Sequence, residues 1–285
     1  MNKAFSYVAL DTSLPVHRLK VNHPRAGATI SLLGGQLLSY TPRGKKELLW
    51  VSGSADLSGK GPIRGGTPIC WPWFGPSKMA GAPQHGYART LTWQVADIRE
   101  TDRHVLIELI APVAGLLEKG IQAQVKVRYM IGDELEISLV TYNLHNTSFE
   151  FTQAIHSYFA VDDVQNVKIA GLGGTQYEDK VTGASGVQAG EVTLTGETDR
   201  IYRTTEPVVV IRDGEHIVEL RSSGQDSVVV WNPGPEKAAA MVDFDNEGYR
   251  NMVCVETANT QNQEIPAGSV SILTQRIGGL PLGGR

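Results

Sequence analysis

The sequence predicts an all-β protein folded as one large antiparallel sandwich or barrel. Three observations lead there. Apolar residues recur with a period of two almost throughout, Gly and Pro turns separate the runs, and no amphipathic pattern reaches about a dozen residues. Strands without crossover helices must pair antiparallel and pack sheet on sheet.

In order along the chain, residues 28–40 read as two strands about the Gly34-Gly35 pair, and 105–110 as a short buried strand. Residues 121–129 and 135–142 alternate with period two, with Gly132 and Asp133 as the turn between them. Residues 208–211 and 215–220 form the clearest hairpin. Asp213 and Gly214 are expected to supply the positive φ angles of a two-residue primed turn. Further strands read at 227–231, 252–256 and 269–274, and one helical turn of note at 235–241. There is no linker, low-complexity tract or repeat, so residues 1–285 read as a single domain. Residues 278–285 have little to pack and are expected to fray.

Apolar residues make up 41% and charged residues 20%, as in an ordinary soluble protein. The net charge of −4, with basic residues scattered, speaks against a nucleic-acid partner. Cys70 and Cys254 sit in apolar settings and read as small hydrophobes in a reducing compartment rather than as a disulfide. The N-terminus lacks signal-peptide features, and no apolar run approaches the roughly 20 residues of a membrane span. A cytoplasmic, soluble protein with no membrane partner is expected. Zinc, calcium, dinucleotide and nucleophile-elbow motifs are all lacking.

The most informative stretch is 61–76 with 84–89. Gly and Pro crowd around Trp71, Trp73 and Phe74, forbidding a helix and fitting a central strand poorly. Aromatic side chains at that density must pack down, which predicts a stiff loop with Arg64 and Arg89 reaching in from either side. A planar guanidinium makes two parallel bonds to an oxyanion, so arginines there suit phosphate. His17, His23, His104, His145 and His216 read as residues of polar turns or solvent faces. His85 lies inside the aromatic-rich stretch. His156 lies on the opposite face from Phe151, Gln153 and Ile155; it is either a core histidine satisfied by the backbone or a proton-transfer group near neutrality. Glu256 closes the apolar run 252–256. That pattern favours a solvated sheet rim, the alternative being a cleft in which desolvation makes it a better base.

Six blocks carry a resemblance: IRGGTPICWPWFGP at 63–76, HGYAR at 85–89, IHSYF at 155–159, TDRIY at 198–202, VWNP at 230–233 and VCVET at 253–257. Together they resemble the D-hexose-6-phosphate mutarotases, the glucose-6-phosphate 1-epimerases of the aldose 1-epimerase superfamily. The resemblance runs from about residue 30 to residue 275, and the first block is long and compositionally odd. It implies a galactose mutarotase-like antiparallel β-supersandwich. It also implies His156 as catalytic acid, Glu256 as base, Arg64 and Arg89 as the phosphate pair, and Gln84, His85 and Asp199 as substrate contacts. The implied protein is an isomerase of carbohydrate metabolism without metal or cofactor, binding a small-molecule hexose 6-phosphate; a monomer is expected, though the sequence leaves the oligomeric state open. Alternative readings are an epimerase of unphosphorylated aldoses, a glycoside hydrolase using Glu256 with Asp199, and a non-catalytic sugar-phosphate-binding protein. The aromatics of 71–74 are expected to brace the loop rather than stack on sugar.

Overall fold

A computed structural model describes residues 5–279. Strands β1 (Val8–Asp11), β2 (Arg18–His23), β3 (Ala26–Ser31) and β4 (Leu37–Pro42) form an antiparallel sheet in chain order. The chain continues through β5 (Ile69–Cys70), β6 (Gln94–Glu100), β7 (Val105–Ile110), β8 (Ala123–Ile131), β9 (Leu135–Asn143) and β10 (Phe149–Ile155). Next come β11 (Tyr158–Ala160), β12 (Lys168–Ala170), β13 (Gln176–Asp179), β14 (Ser185–Val187) and β15 (Thr198–Arg203). The last strands are β16 (Val208–Asp213), β17 (His216–Ser223), β18 (Ser227–Asn232), β19 (Met252–Ile265) and β20 (Val270–Gly279). Two eight-stranded antiparallel sheets result. One runs β14-β13-β15-β18-β19-β10-β5, with β11 also on β19; the other runs β12-β16-β17-β20-β9-β8-β7-β6.

The sheets pack because alternation gives each an apolar inner face. Val125, Val127, Ile137 and Leu139 of one share a core with Val228, Val230, Val253 and Val255 of the other. Burying each such side chain contributes about 1.5–3 kcal/mol. β18 is buried at all six residues and β19 over its first eight. Their outer faces are therefore covered as well, which is why both read as continuous apolar runs. Cys70, Ala154, Val229 and Ala258 cluster separately from the main core, as do Tyr158, Trp231 and Cys254. This second face of the β18–β19–β10 layer builds the floor of the site.

Several expectations change. A helix α1 (Val113–Leu117) was not anticipated, since five residues are too few for an amphipathic signature. The expected helical turn is α2 (Gly234–Ala240). In the β16–β17 hairpin Asp213 pairs with His216, so the turn residues are Gly214 and Glu215, and only Gly214 (φ 59) takes a positive φ. Gly278 and Gly279 pair with Glu219 and Val218 instead of fraying; the rest of the expected tail lies outside the described residues. His23 is buried, edge-on to Tyr7 at 4.7 Å, with Nε2 3.2 Å from the Thr101 carbonyl. Cys70 and Cys254 are both free and buried. No helix among the described residues is long and apolar enough to cross a membrane.

Candidate active site

β10 ends at Ile155, which faces the main core, and His156 follows with its backbone N–H donating to the Pro68 carbonyl at 3.0 Å. The imidazole stacks on Tyr158 (centroids 4.9 Å apart, planes 11°) and meets Trp231 edge-on at 6.2 Å. On β19, Glu256 is only 1% exposed. It is the fifth residue of a strand that runs on to Ile265, so the pattern-favoured solvated rim is wrong. The strand does not end there, and Thr257, Ala258 and Asn259 beyond it are buried too. His156 Nε2 and Glu256 Oε1 lie 3.4 Å apart. Neither His156 Nδ1 nor Glu256 Oε2 has a hydrogen-bond partner among the described residues.

Burial raises the proton affinity of the Glu256 carboxyl well above the usual carboxylate range, and the nearby charge of Asp199 adds to this. Burial also pushes His156 well below its ordinary value, helped by His85, Arg89 and Arg64. Both directions disfavour charge on the pair, and a proton held between the two groups rests on Glu256.

The pair lies in a cavity of about 470 Å³ whose lining includes Arg64, Phe74, Gln84, His85, Tyr158, Asp199, Trp231 and Lys237. That size is ordinary for a small-molecule site. Arg64 donates from Nε and Nη2 to the two oxygens of Asp243 (3.2 and 3.3 Å) and from Nη1 to the Tyr158 hydroxyl (3.2 Å). His85 accepts the Gly75 N–H at Nδ1 (3.2 Å), which leaves its neutral ring with Nε2–H as a donor. Burial, then the charges of Arg89 and Arg64, lower His85 to about 3, so it is neutral near neutral pH. It is also the one non-glycine residue with positive φ (60°) among those described, a strained conformation that the surrounding loop must enforce. Gly86 beside it has φ 77°, and a Cβ there would lie 2.0 Å from the Trp71 carbonyl oxygen. Asp199, on β15 opposite Trp231, has its carboxyl raised by burial, against the lowering pull of Lys237 and Lys180.

Six of the seven residues singled out from the sequence therefore line one cavity. Arg89 does not: its Nη2 donates to the Gln84 carbonyl at 3.0 Å, although its charge reaches His85 and His156. Trp71 is fully buried against Phe149 (5.9 Å), and Trp73 Nε1 donates to the Pro83 carbonyl (2.9 Å), so both brace the loop. Phe74 reaches the cavity wall, edge-on to His85 at 5.0 Å. Tyr158, Trp231, Lys237 and Asp243 were not singled out. Tyr158 and Trp231 share the outer-face phase of strands already read, a signal that was available. Asp243, in a loop 179 positions from Arg64, offers none.

A carboxyl and an imidazole in contact at the wall of a cavity form a proton donor–acceptor pair beside the space that a ligand would fill. The aldose 1-epimerase family model matches residues 17–269. A Salmonella typhimurium protein provisionally named glucose-6-phosphate 1-epimerase is 36% identical over 272 residues, covering 90% of this chain and 91% of its own. An Escherichia coli protein with the same provisional name is 34% identical, covering 90% and 88%. The crystal structure of a provisionally assigned Salmonella typhimurium mutarotase superposes with a TM-score of 0.90 at 34% identity, over 98% of this chain and 95% of that one. The supersandwich expected from the sequence is thus the fold observed. With the family model spanning most of its length and close relatives matching nearly end to end, the chain belongs to the aldose 1-epimerase family and is an isomerase.

Proposed function

We propose that the protein is a hexose-6-phosphate mutarotase that interconverts the α and β anomers of D-glucose 6-phosphate and related hexose 6-phosphates. The observation that carries this reading is the 3.4 Å contact of His156 and Glu256 in a cavity that also holds Arg64. The names of the relatives point to the same substrate.

Mutarotation needs a proton delivered to ring oxygen O5 as another leaves the hydroxyl on C1. The C1–O5 bond breaks, C1 becomes an aldehyde carbon, rotation about C1–C2 exchanges its faces, and the steps reverse. Both oxygens are bonded to C1, so an acid and a base in mutual contact can address them together; the two need not flank the sugar. In this reading His156 protonates O5 and Glu256 accepts the proton from the C1 hydroxyl. The shared proton must then sit on His156, and an anionic phosphate drawn to Arg64 favours this by offsetting the arginine charge that depresses the imidazole. In this reading His85 Nε2–H, the Asp199 carboxyl and Gln84, all in the cavity lining, bind the sugar hydroxyls. Arg64 holds the phosphate at the end of the sugar remote from C1, so binding energy there supplies orientation. Arg89 acts in this reading through its charge and its hold on Gln84.

A second reading, epimerisation of unphosphorylated aldoses, draws support from the Asp243 carboxylate on Arg64 and from Arg89 lying outside the cavity lining. Anomer-exchange NMR with glucose 6-phosphate, galactose 6-phosphate and free glucose decides between them. Faster exchange with the phosphorylated sugars supports the proposal. Equal or greater acceleration of free glucose favours the second reading, and acceleration of none overturns both.

A further inference from the structure

The Arg64 guanidinium has five N–H donors, of which three are taken: Nε and Nη2 by Asp243, and Nη1 by the Tyr158 hydroxyl. One donor on each terminal nitrogen is left. Asp243 is itself held from the next two residues. Phe244 is 2% exposed and packs on Trp50 at 4.8 Å. Asp245 accepts the Gly53 N–H at 2.6 Å and the Ser54 hydroxyl at 2.9 Å. The carboxylate is therefore a fixed partner for a long, otherwise rotamer-rich side chain. The contact is also sheltered, the Arg64 and Asp243 side chains being 23% and 25% exposed. Through Tyr158, whose ring stacks on His156, the same guanidinium is placed at a set distance from the proton-transfer pair.

We propose that Asp243 is the positioning residue of the anion grip: by holding the Nε–Nη2 edge of Arg64, it presents the remaining guanidinium donors to the C6 phosphate of the substrate. The inference rests on the hexose-6-phosphate reading of the cavity. The carboxylate and a bound phosphate would repel each other, but they occupy different edges of the guanidinium, which stands between them. What Asp243 contributes is preorganisation, since an arginine already held in place loses less freedom when the ligand binds.

The test compares wild type with Asp243→Ala, Asp243→Asn and Arg64→Ala by anomer-exchange kinetics on glucose 6-phosphate and free glucose. Inhibition by inorganic phosphate is measured in parallel. Releasing the guanidinium is expected to raise KM for glucose 6-phosphate about 3- to 10-fold in both Asp243 variants, with a matching rise in the inhibition constant of phosphate and a smaller change in kcat. Asp243→Glu, which keeps the carboxylate, is expected to recover part of the loss. A loop that merely collapsed would lower kcat on both sugars and the melting temperature together, and that pattern overturns the proposal. If Asp243→Ala proves unstable, Asp243→Asn carries the test alone. An unchanged or lower KM for glucose 6-phosphate in the Asp243 variants, with Arg64→Ala still abolishing the preference for the phosphorylated sugar, overturns the positioning role only. If Arg64→Ala leaves that preference intact, the phosphate reading itself falls.

Discussion

Replacing Glu256 by Gln keeps the shape of a side chain that is 1% exposed and removes its ability to take a proton from the C1 hydroxyl. A general acid or base is typically worth about 10²–10⁴-fold in rate, so kcat should fall by that factor. This corresponds to about 2.7–5.4 kcal/mol on the barrier. KM should change little, because the proposed grips on the sugar, Arg64, His85 and Asp199, remain. The assay is exchange NMR between the α and β C1 protons of glucose 6-phosphate, corrected for spontaneous mutarotation. Stability tells whether the inactive variant is folded. The folded-state pKa of Glu256 is raised, so the carboxyl contributes stability that is present below its ordinary value of 4.5 and lost as pH rises through the raised value. Gln carries no such loss, and Glu256→Gln should melt no lower than wild type at neutral pH. Turnover well above about a hundredth of wild type in a folded variant would refute Glu256 as the base, since the lower bound is about 10²-fold.

Three further outcomes follow from the same geometry. Arg64→Ala should raise KM for glucose 6-phosphate with little effect on free glucose, measured by the same exchange kinetics; equal losses on both sugars argue against a phosphate site. His85 is lowered from 6.5 to about 3 by burial, so it contributes stability that is full above pH 6.5 and is lost as pH falls toward 3. The margin of wild type over His85→Gln in urea denaturation should therefore shrink across that window, and a margin that grows on acidification contradicts the assignment. Gly86→Ala places a methyl 2.0 Å from the Trp71 carbonyl oxygen at a φ of 77°, and should destabilise by at least about 2 kcal/mol in thermal melts while disordering the His85 side of the cavity.

Local pattern carried most of the fold. The alternation at 121–129 appears as β8, which buries one face and leaves the other partly exposed, and that at 135–142 as β9, whose second face is partly exposed only near its ends, at Glu136 and Tyr142. It misled at β19, where both faces are covered and period two is masked, so that Glu256 resembled the end of a strand. The glycines at 278 and 279 carry no side chains to signal burial, yet β17 pairs with them through the backbone. Asp243 was invisible for another reason: its partner is 179 positions away, and a loop aspartate has no periodicity.

The sequence by itself determined an antiparallel β protein, and its six motif blocks are distinctive enough to point to its family. Tertiary structure decided the rest. It brought His156 and Glu256 to 3.4 Å, in a setting whose burial drives their proton affinities in opposite directions, and it left Arg89 on the Gln84 carbonyl, outside the cavity lining, while fixing Arg64 on Asp243. Distances across strands and the dielectric around a carboxyl depend on which faces are covered, and that is a property of the packed sheets rather than of any one segment.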